Sequence, residues 1–240
     1  MKRIFSLALG NIWSWTASKN RDDLIKYAKK LDVSGVEITF AYKEEIYAFK
    51  LSTSNRDWLR QLDYVTIHAP FRLIRAAENE KEVIKQLDAI SRIYKDINAK
   101  AVIIHPGDLP APEILRKYDF NILTENLAKK SRFNLTDLRK TLSEYPNIRL
   151  CLDVSHAYLW SKYETDKLIN MFKDRISQVH FSGNYRKKNH QSLRKVSNDF
   201  LESIQPIKEL NVPIVIEEDI KIKSLKYLKE EVEYIKNMFD

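Results

Sequence analysis

Glycine is scarce in this chain: four residues, Gly10, Gly35, Gly107 and Gly183, among 240. Glycines so far apart cannot compose a G-x-G-x-x-G turn or a Walker A loop, which argues against nucleotide chemistry built on those phosphate cradles. The one cysteine, Cys151, excludes an internal disulfide and a cysteine-based zinc site, so any metal has to be held by His, Asp and Glu. Long apolar runs are missing too. The longest, such as 101–104 and 212–216, stop far short of the roughly 20 residues of a membrane-spanning helix. Residues 1–9 are too short for a secretory h-region. These absences lead us to expect a cytoplasmic protein with no membrane partner. No Pro/Gly/Ser-rich linker or low-complexity tract interrupts the chain, so one domain over residues 1–240 is expected.

A hydrophobic share of 44% is enough to build one buried core, and 41 Lys and Arg against 33 Asp and Glu leave a formal charge of +8. A basic surface favours polyanionic partners by counterion release, although a lysine-rich protein carries such a charge without any dedicated partner.

Short β-branched, apolar runs recur along the chain and predict eight strands: 3–9, 35–40, 64–68, 101–105, 120–125, 148–153, 176–181 and 212–217. Between them apolar residues fall at helical spacing. Examples are Leu24, Ile25, Ala28 and Leu31, then Val83, Leu87, Ile90 and Ile97, and a last helix from Leu225 through Ile235. Strand followed by helix, repeated through a chain of 240 residues, is the pattern of an α/β (β/α)8 TIM barrel. An open doubly wound sheet is the competing architecture, but it wants a glycine-rich first turn that Gly10 and Asn11 do not supply.

In such a barrel the carboxyl ends of the strands face one cavity. The third strand ends in His68, the fourth in His105, the fifth in Glu125, the sixth in Asp153, the seventh in His180 and the eighth in Glu217. Side chains alternate faces along a strand, and the preceding residues are Ile67, Ile104, Thr124, Leu152, Val179 and Ile216. Five of those are aliphatic, as outward-facing positions should be, so the six ionisable side chains are expected to point inward together. His156 and His190 lie just beyond strand ends. A single such residue is more often a satisfied hydrogen-bonding group, but eight converging on one cavity would repel or stay undersolvated without a cation. Imidazole mixed with carboxylate suits Zn²⁺, Mn²⁺ or Fe²⁺. Glu37, inside the second strand, either points into the barrel as an auxiliary acid or base or pairs with a neighbouring lysine or arginine, and the pairing is the reading we favour. A one-residue slip of the eighth strand would present Glu218 in place of Glu217, and parity with Val215 favours Glu217.

The segments IHAPF around His68, IHPG around His105, TEN around Glu125, LDVSH over 152–156, VHFSG around His180 and VIEE ending at Glu218 resemble the xylose-isomerase-like TIM-barrel superfamily. Within it they are most similar to the endonuclease IV family of apurinic/apyrimidinic endonucleases. The likeness runs from about Tyr64 to Glu218. It implies a DNA-repair hydrolase in which His68 and His105 hold one zinc and Glu125 bridges to a second. Asp153, His180 and Glu217 would complete that second site, and a metal-bridging hydroxide would attack the phosphodiester. A third zinc would sit on His156, His190 and an aspartate two residues before the latter. Lys188 stands there instead. An ammonium group cannot ligate, so the third site loses its carboxylate: either Lys188 is a catalytic cation approaching the phosphate in the ion's place, or the chain is a relative whose substrate is no longer DNA. Glu125 and Glu217 are the other residues assigned to catalysis.

Basic loops with interleaved aromatics follow the third and seventh strands. Arg72, Arg75, Tyr185 and Arg186 are therefore candidate contacts to a DNA backbone, and Trp13, with Trp15, is a candidate stacking platform. The alternative is a sugar or sugar phosphate isomerase or epimerase of the same superfamily. There, one Mn²⁺ or Mg²⁺ on Glu125, Asp153, His180 and Glu217 polarises a carbonyl, while His68 and His105 bind sugar hydroxyls. A catalytically silent metal-binding scaffold is the third reading.

Overall fold

A computed structural model describes residues 3–17, 20–75 and 77–239. Among them ten strands form: β1 Phe5–Ala8, β2 Gly35–Thr39, β3 Tyr64–His68, β4 Ala101–Ile103, β5 Ile122–Glu125, β6 Arg149–Asp153, β7 Ile176–Phe181, β8 Gly183–Tyr185, β9 Lys188–Gln191 and β10 Ile214–Ile216. Eight of them pair in parallel in the closed order β1-β10-β7-β6-β5-β4-β3-β2, a TIM barrel. These are the eight expected runs, several trimmed at their ends. His105 and Glu217 thereby fall just past β4 and β10 rather than inside them.

The two faces of these strands have different chemistry. Ile67, Ile104, Leu152, Val179 and Ile216 belong to one extensive apolar cluster that joins the outside of the barrel to the surrounding helices. Ala101, Ile103, Leu123 and Cys151 form a separate small cluster inside the barrel. The helix Glu80–Asp96 shows how the outer layer is built: Val83, Leu87, Ile90 and Ile93 recur at three and four spacing and are buried, and the Asn79 side chain caps the first turn by accepting from the Glu82 amide. Gly35 lets β1, β2 and β3 close together. A Cβ there would lie 2.0 Å from Ser6 Oγ and 2.3 Å from the Tyr64 carbonyl oxygen.

Strands β8 and β9 were not anticipated. They form an antiparallel two-stranded hairpin over the barrel mouth, with Tyr185 opposite Lys188. Its two-residue tip, Arg186 and Lys187, has φ of 52° and 61°, the left-handed pair that a tight hairpin turn requires.

Candidate metal centre

Local chain geometry aims each strand-end side chain. Pro106 keeps His105 extended, at φ −58° and ψ 143°, so its ring leaves β4 towards the axis. Asp153 ends β6 and caps the helix Val154–Trp160, with Oδ1 accepting from the His156 amide at 2.7 Å and from Ser155 Oγ at 3.0 Å. The same cap places His156 on the first turn, beside the carboxylate that holds it. In β9 the register shifts, and His190 takes a left-handed φ of 53°. Such an irregularity re-aims a side chain, and the His190 ring meets His156 edge to face at 5.0 Å.

Glu125 is the hub. Its Oε1 lies 3.0 Å from His105 Nε2, and its Oε2 lies 3.0 Å from His180 Nδ1. His68 completes the first group, its ring 5.1 Å from that of His105. Glu217 Oε2 is also 3.0 Å from His180 Nδ1, but one ring nitrogen cannot serve two carboxylates, and the hydrogen-bond geometry goes to Glu125. On its other edge, His180 Nε2 faces Glu37, 3.2 Å from Oε1 and 3.3 Å from Oε2.

Glu37 does not pair with a lysine or arginine. It is fully buried inside the barrel, where it accepts from Thr66 Oγ1 at 2.9 Å and Gln178 Nε2 at 3.0 Å and faces His180. Its environment is a polar floor laid by β2, β3 and β7. Glu218 turns the opposite way from Glu217 and accepts from the Leu193 amide at 2.9 Å, so the register of β10 is the expected one.

Burial opposes charge throughout this site, and the mutual pairing overcomes it. Against desolvation, His105 and His180 hold the Glu125 carboxyl well below the usual range, and His180 and His190 bring Glu217 down to about 2. Against their burial, His105 is raised by Glu125, His190 by Glu217 and Asp153, and His180 by the Cys151 sulfur and then by Glu217 and Glu37. Burial pushes the Cys151 thiol up to about 12, which leaves it neutral beneath the site.

The donor set fits divalent cations. Among the described residues no lysine or arginine pairs with Glu37, Glu125, Asp153 or Glu217, whose ionic partners are all imidazoles. Asp153 Oδ2 and Glu217 Oε2 are buried without a hydrogen bond, and an orphaned carboxylate oxygen is costly unless a cation or donor meets it. Among the described residues four groups have ligand atoms within 4.8 Å of one another: His68, His105 and Glu125; Glu125, Cys151 and His180; Glu37, His180 and Glu217; and Asp153, His156 and His190. In the last, both histidines commit Nδ1 to a backbone carbonyl, His156 to Asn126 at 3.1 Å and His190 to Glu217 at 3.0 Å. Each therefore keeps Nε2 for another partner, the arrangement that orients histidine ligands.

The sequence profile of the xylose isomerase-like TIM barrel family matches residues 25–238. The chain belongs to that family. No characterised protein sequence matches it significantly. Among solved structures it resembles endonuclease IV from Thermus thermophilus, at 16% identity and TM-score 0.69, over 98% of this chain and 99% of that one. It also resembles a D-tagatose 3-epimerase-like protein, at 17% identity and TM-score 0.62, over 99% and 100%. D-allulose 3-epimerase from Methylomonas sp. aligns at 13% identity and TM-score 0.67, over 99% and 97%. At these identities the likeness establishes the shared fold. Members of the family are enzymes, and nuclease and epimerase neighbours are equally well covered.

In this xylose isomerase-like barrel the expected rim residues have separate fates. The Arg75 guanidinium is locked onto the buried Asp108, with Nη2 2.9 Å from Oδ2, and Asp108 also accepts from the Arg72 amide at 3.1 Å. The Arg72 side chain makes no ion pair among the described residues. The Arg21 guanidinium covers Trp13 at 4.5 Å, and Trp15 is buried with its indole N–H donating to the Ile220 carbonyl at 3.1 Å, so Trp15 offers no stacking face. Tyr185, Arg186 and Lys188 lie exposed on the hairpin. Phe71 had no assigned part: it stands half exposed against His68 and His105, its ring 5.7 and 5.1 Å from theirs, an apolar wall beside the first ligand group. Asn126 was also missed. It accepts from the Asp153 amide and donates to the Asp153 carbonyl, both at 2.8 Å, steadying β6 where the site needs it.

Proposed function

We propose that the chain is a single-domain, divalent-metal-dependent hydrolase of DNA phosphodiester bonds, acting in DNA repair at abasic or damaged sites. The position of Glu125 carries this reading: one oxygen faces His105 in the group with His68, and the other faces His180, whose Nδ1 Glu217 also approaches at 3.0 Å. A carboxylate shared in this way suits a pair of ions, while Asp153 groups with His156 and His190 rather than with His180 and Glu217. Zinc is the ion that the mixed imidazole and carboxylate donors favour. When bound, a pair of ions supplies Lewis-acid stabilisation of the phosphoryl oxygens and makes a nearby water acidic.

The chain's own side chains do the positioning. Glu125 orients His105 and His180 towards each other. The Asp153 cap holds His156 in place, and Phe71 keeps bulk water from the His68 side. Glu217, only partly covered, stays ionised and holds His180 and His190 on the same side of the mouth. Lys188 and Arg186 extend positive charge from the hairpin towards incoming phosphate, and Arg72, Tyr185 and Trp13 are further substrate contacts on the rim.

The one-ion alternative, a sugar or sugar phosphate isomerase or epimerase using Mn²⁺ or Mg²⁺, needs His68 and His105 free for substrate hydroxyls. The 3.0 Å contact between His105 and Glu125 counts against it. The test is nicking of a duplex with one abasic site by zinc-loaded protein, beside proton exchange from solvent into ketoses. Nicking abolished by a chelator is expected. Exchange without nicking would reverse the choice.

A further inference from the structure

We infer that the side of the barrel mouth carrying the β8–β9 hairpin is a docking surface for the phosphate backbone of a nucleic acid, a step that deepens the phosphodiesterase reading and rests on it. Two cavities flank the hairpin. One, of about 580 Å³, is lined by Lys129, Lys130, Lys187 and Lys188 and reaches His190 of the candidate centre. The other, of about 990 Å³, is lined by Lys129, Arg186, Lys187 and Lys195. Lys129 and Lys187 line both, so the two form one continuous basic trough.

The charge there is uncompensated. Among the described residues none of these six cations makes an ion pair. The two carboxylates lining the trough are already engaged, Asp219 with Lys221 at 3.3 Å and Asp199 with Lys162 at 3.0 Å. The far side of the mouth is largely compensated: Arg21 is held by Glu45 at 2.6 Å, Lys43 by Glu82 at 3.2 Å and Arg75 by Asp108 at 2.9 Å, with Arg72 alone of these cations outside an ion pair among the described residues. The asymmetry gives a polyanion one direction of approach.

Backbone conformation adds a second, independent observation. Arg186 and Lys187 occupy left-handed positions, at φ 52° and 61°, where Gly or Asn would sit with least strain. Two long cations at that tip are a choice of charge over turn chemistry. A single phosphate would occupy two or three of the six cations. Spread along a trough, they match successive phosphates of a strand, and the Arg186 guanidinium is propped over the exposed Tyr185 ring, 5.0 Å from its centre.

The experiment uses the full chain in chelator, so that binding is read without cleavage. Fluorescence anisotropy follows a short labelled undamaged duplex at several salt concentrations. Three double variants are compared with the parent: Lys187→Ala with Lys188→Ala, Lys129→Ala with Lys130→Ala, and, as a control of equal charge change, Lys81→Ala with Lys100→Ala. Circular dichroism melts confirm that each folds. Each trough variant should bind about tenfold or more weakly, with a log affinity against log salt slope shallower by about 2. The control should stay within about twofold of the parent. Equal loss in all three would reduce the effect to net charge and overturn the proposal. So would inorganic phosphate displacing the duplex as well, phosphate for phosphate, as unlabelled duplex does. Trough-dependent binding by a protein that never nicks an abasic duplex would sink the proposed activity and leave the surface standing. Nicking by a protein whose binding ignores the trough would do the reverse.

Discussion

The same strands carry two kinds of order on their two faces. Outward, Ile67, Ile104, Leu152, Val179 and Ile216 pack in the large apolar cluster, where burial itself supplies the stability. Inward, one residue further along, His68, His105, Glu125, Asp153, His180 and Glu217 line the cavity beside Glu37, His156 and His190, with imidazoles and carboxylates alone to compensate one another. Buried ionic groups of that kind are weak stabilisers and are retained for other reasons. The outer face therefore explains why the barrel holds, and the inner face what it is for.

Substitutions on each face break the comparison in different ways. Glu125→Gln keeps the shape of the hub and removes its charge. Abasic-site nicking should fall by about a thousandfold or more, ~4 kcal/mol of transition-state stabilisation, measured as kcat/KM, with a folded circular dichroism spectrum. Leu152→Ala, next to Asp153 but facing the helices, should lower unfolding free energy by about 2–5 kcal/mol, read by urea denaturation, with metal content unchanged in the folded fraction. A stable Leu152→Ala protein that loses metal would contradict the division between faces.

Glu37→Gln sharpens the comparison from below. Glu37 fixes the Nε2 edge of His180 and so leaves Nδ1 facing Glu125 and Glu217. Its loss should weaken zinc binding by about 10–100-fold, measured by competition with a chromophoric chelator. Thr66 and Gln178 remain to hold the floor.

The smallest effect concerns Glu218, the inner face's neighbour that turns away. Burial, and then the nearby Glu231, raise its carboxyl well above the usual range. A carboxyl raised on folding favours the folded state only while protonated, so that contribution fades as pH climbs from its unfolded value near 4.5 through its folded one. Glu218→Gln escapes this. Its advantage in unfolding free energy over the parent should grow by about 1.4 kcal/mol per pH unit in that window, and a constant difference between pH 5 and pH 8 would refute the raised Glu218 carboxyl.

Much of this was legible in the sequence because a strand repeats every two residues. An aliphatic residue followed by His, Asp or Glu states both the face and the site, and it did so at five strand ends. The polar floor was hidden. Glu37 and His180 are 143 positions apart, and nothing local says that β2 and β7 contribute to one hydrogen-bonded layer. The hairpin was hidden for the opposite reason: its tip is Arg186 and Lys187, with none of the glycine or asparagine that marks a tight turn. Arg75 read as a free cation because its partner Asp108 comes from the loop after another strand.

The most direct test of a shared centre is anomalous diffraction from a zinc-loaded crystal, which counts the ions and places them. Two ions joined by the Glu125 carboxylate, with His68 and His105 on the first and His180 and Glu217 on the second, are the predicted result. One ion on Glu125, Asp153, His180 and Glu217, with His68 and His105 bare, would contradict it.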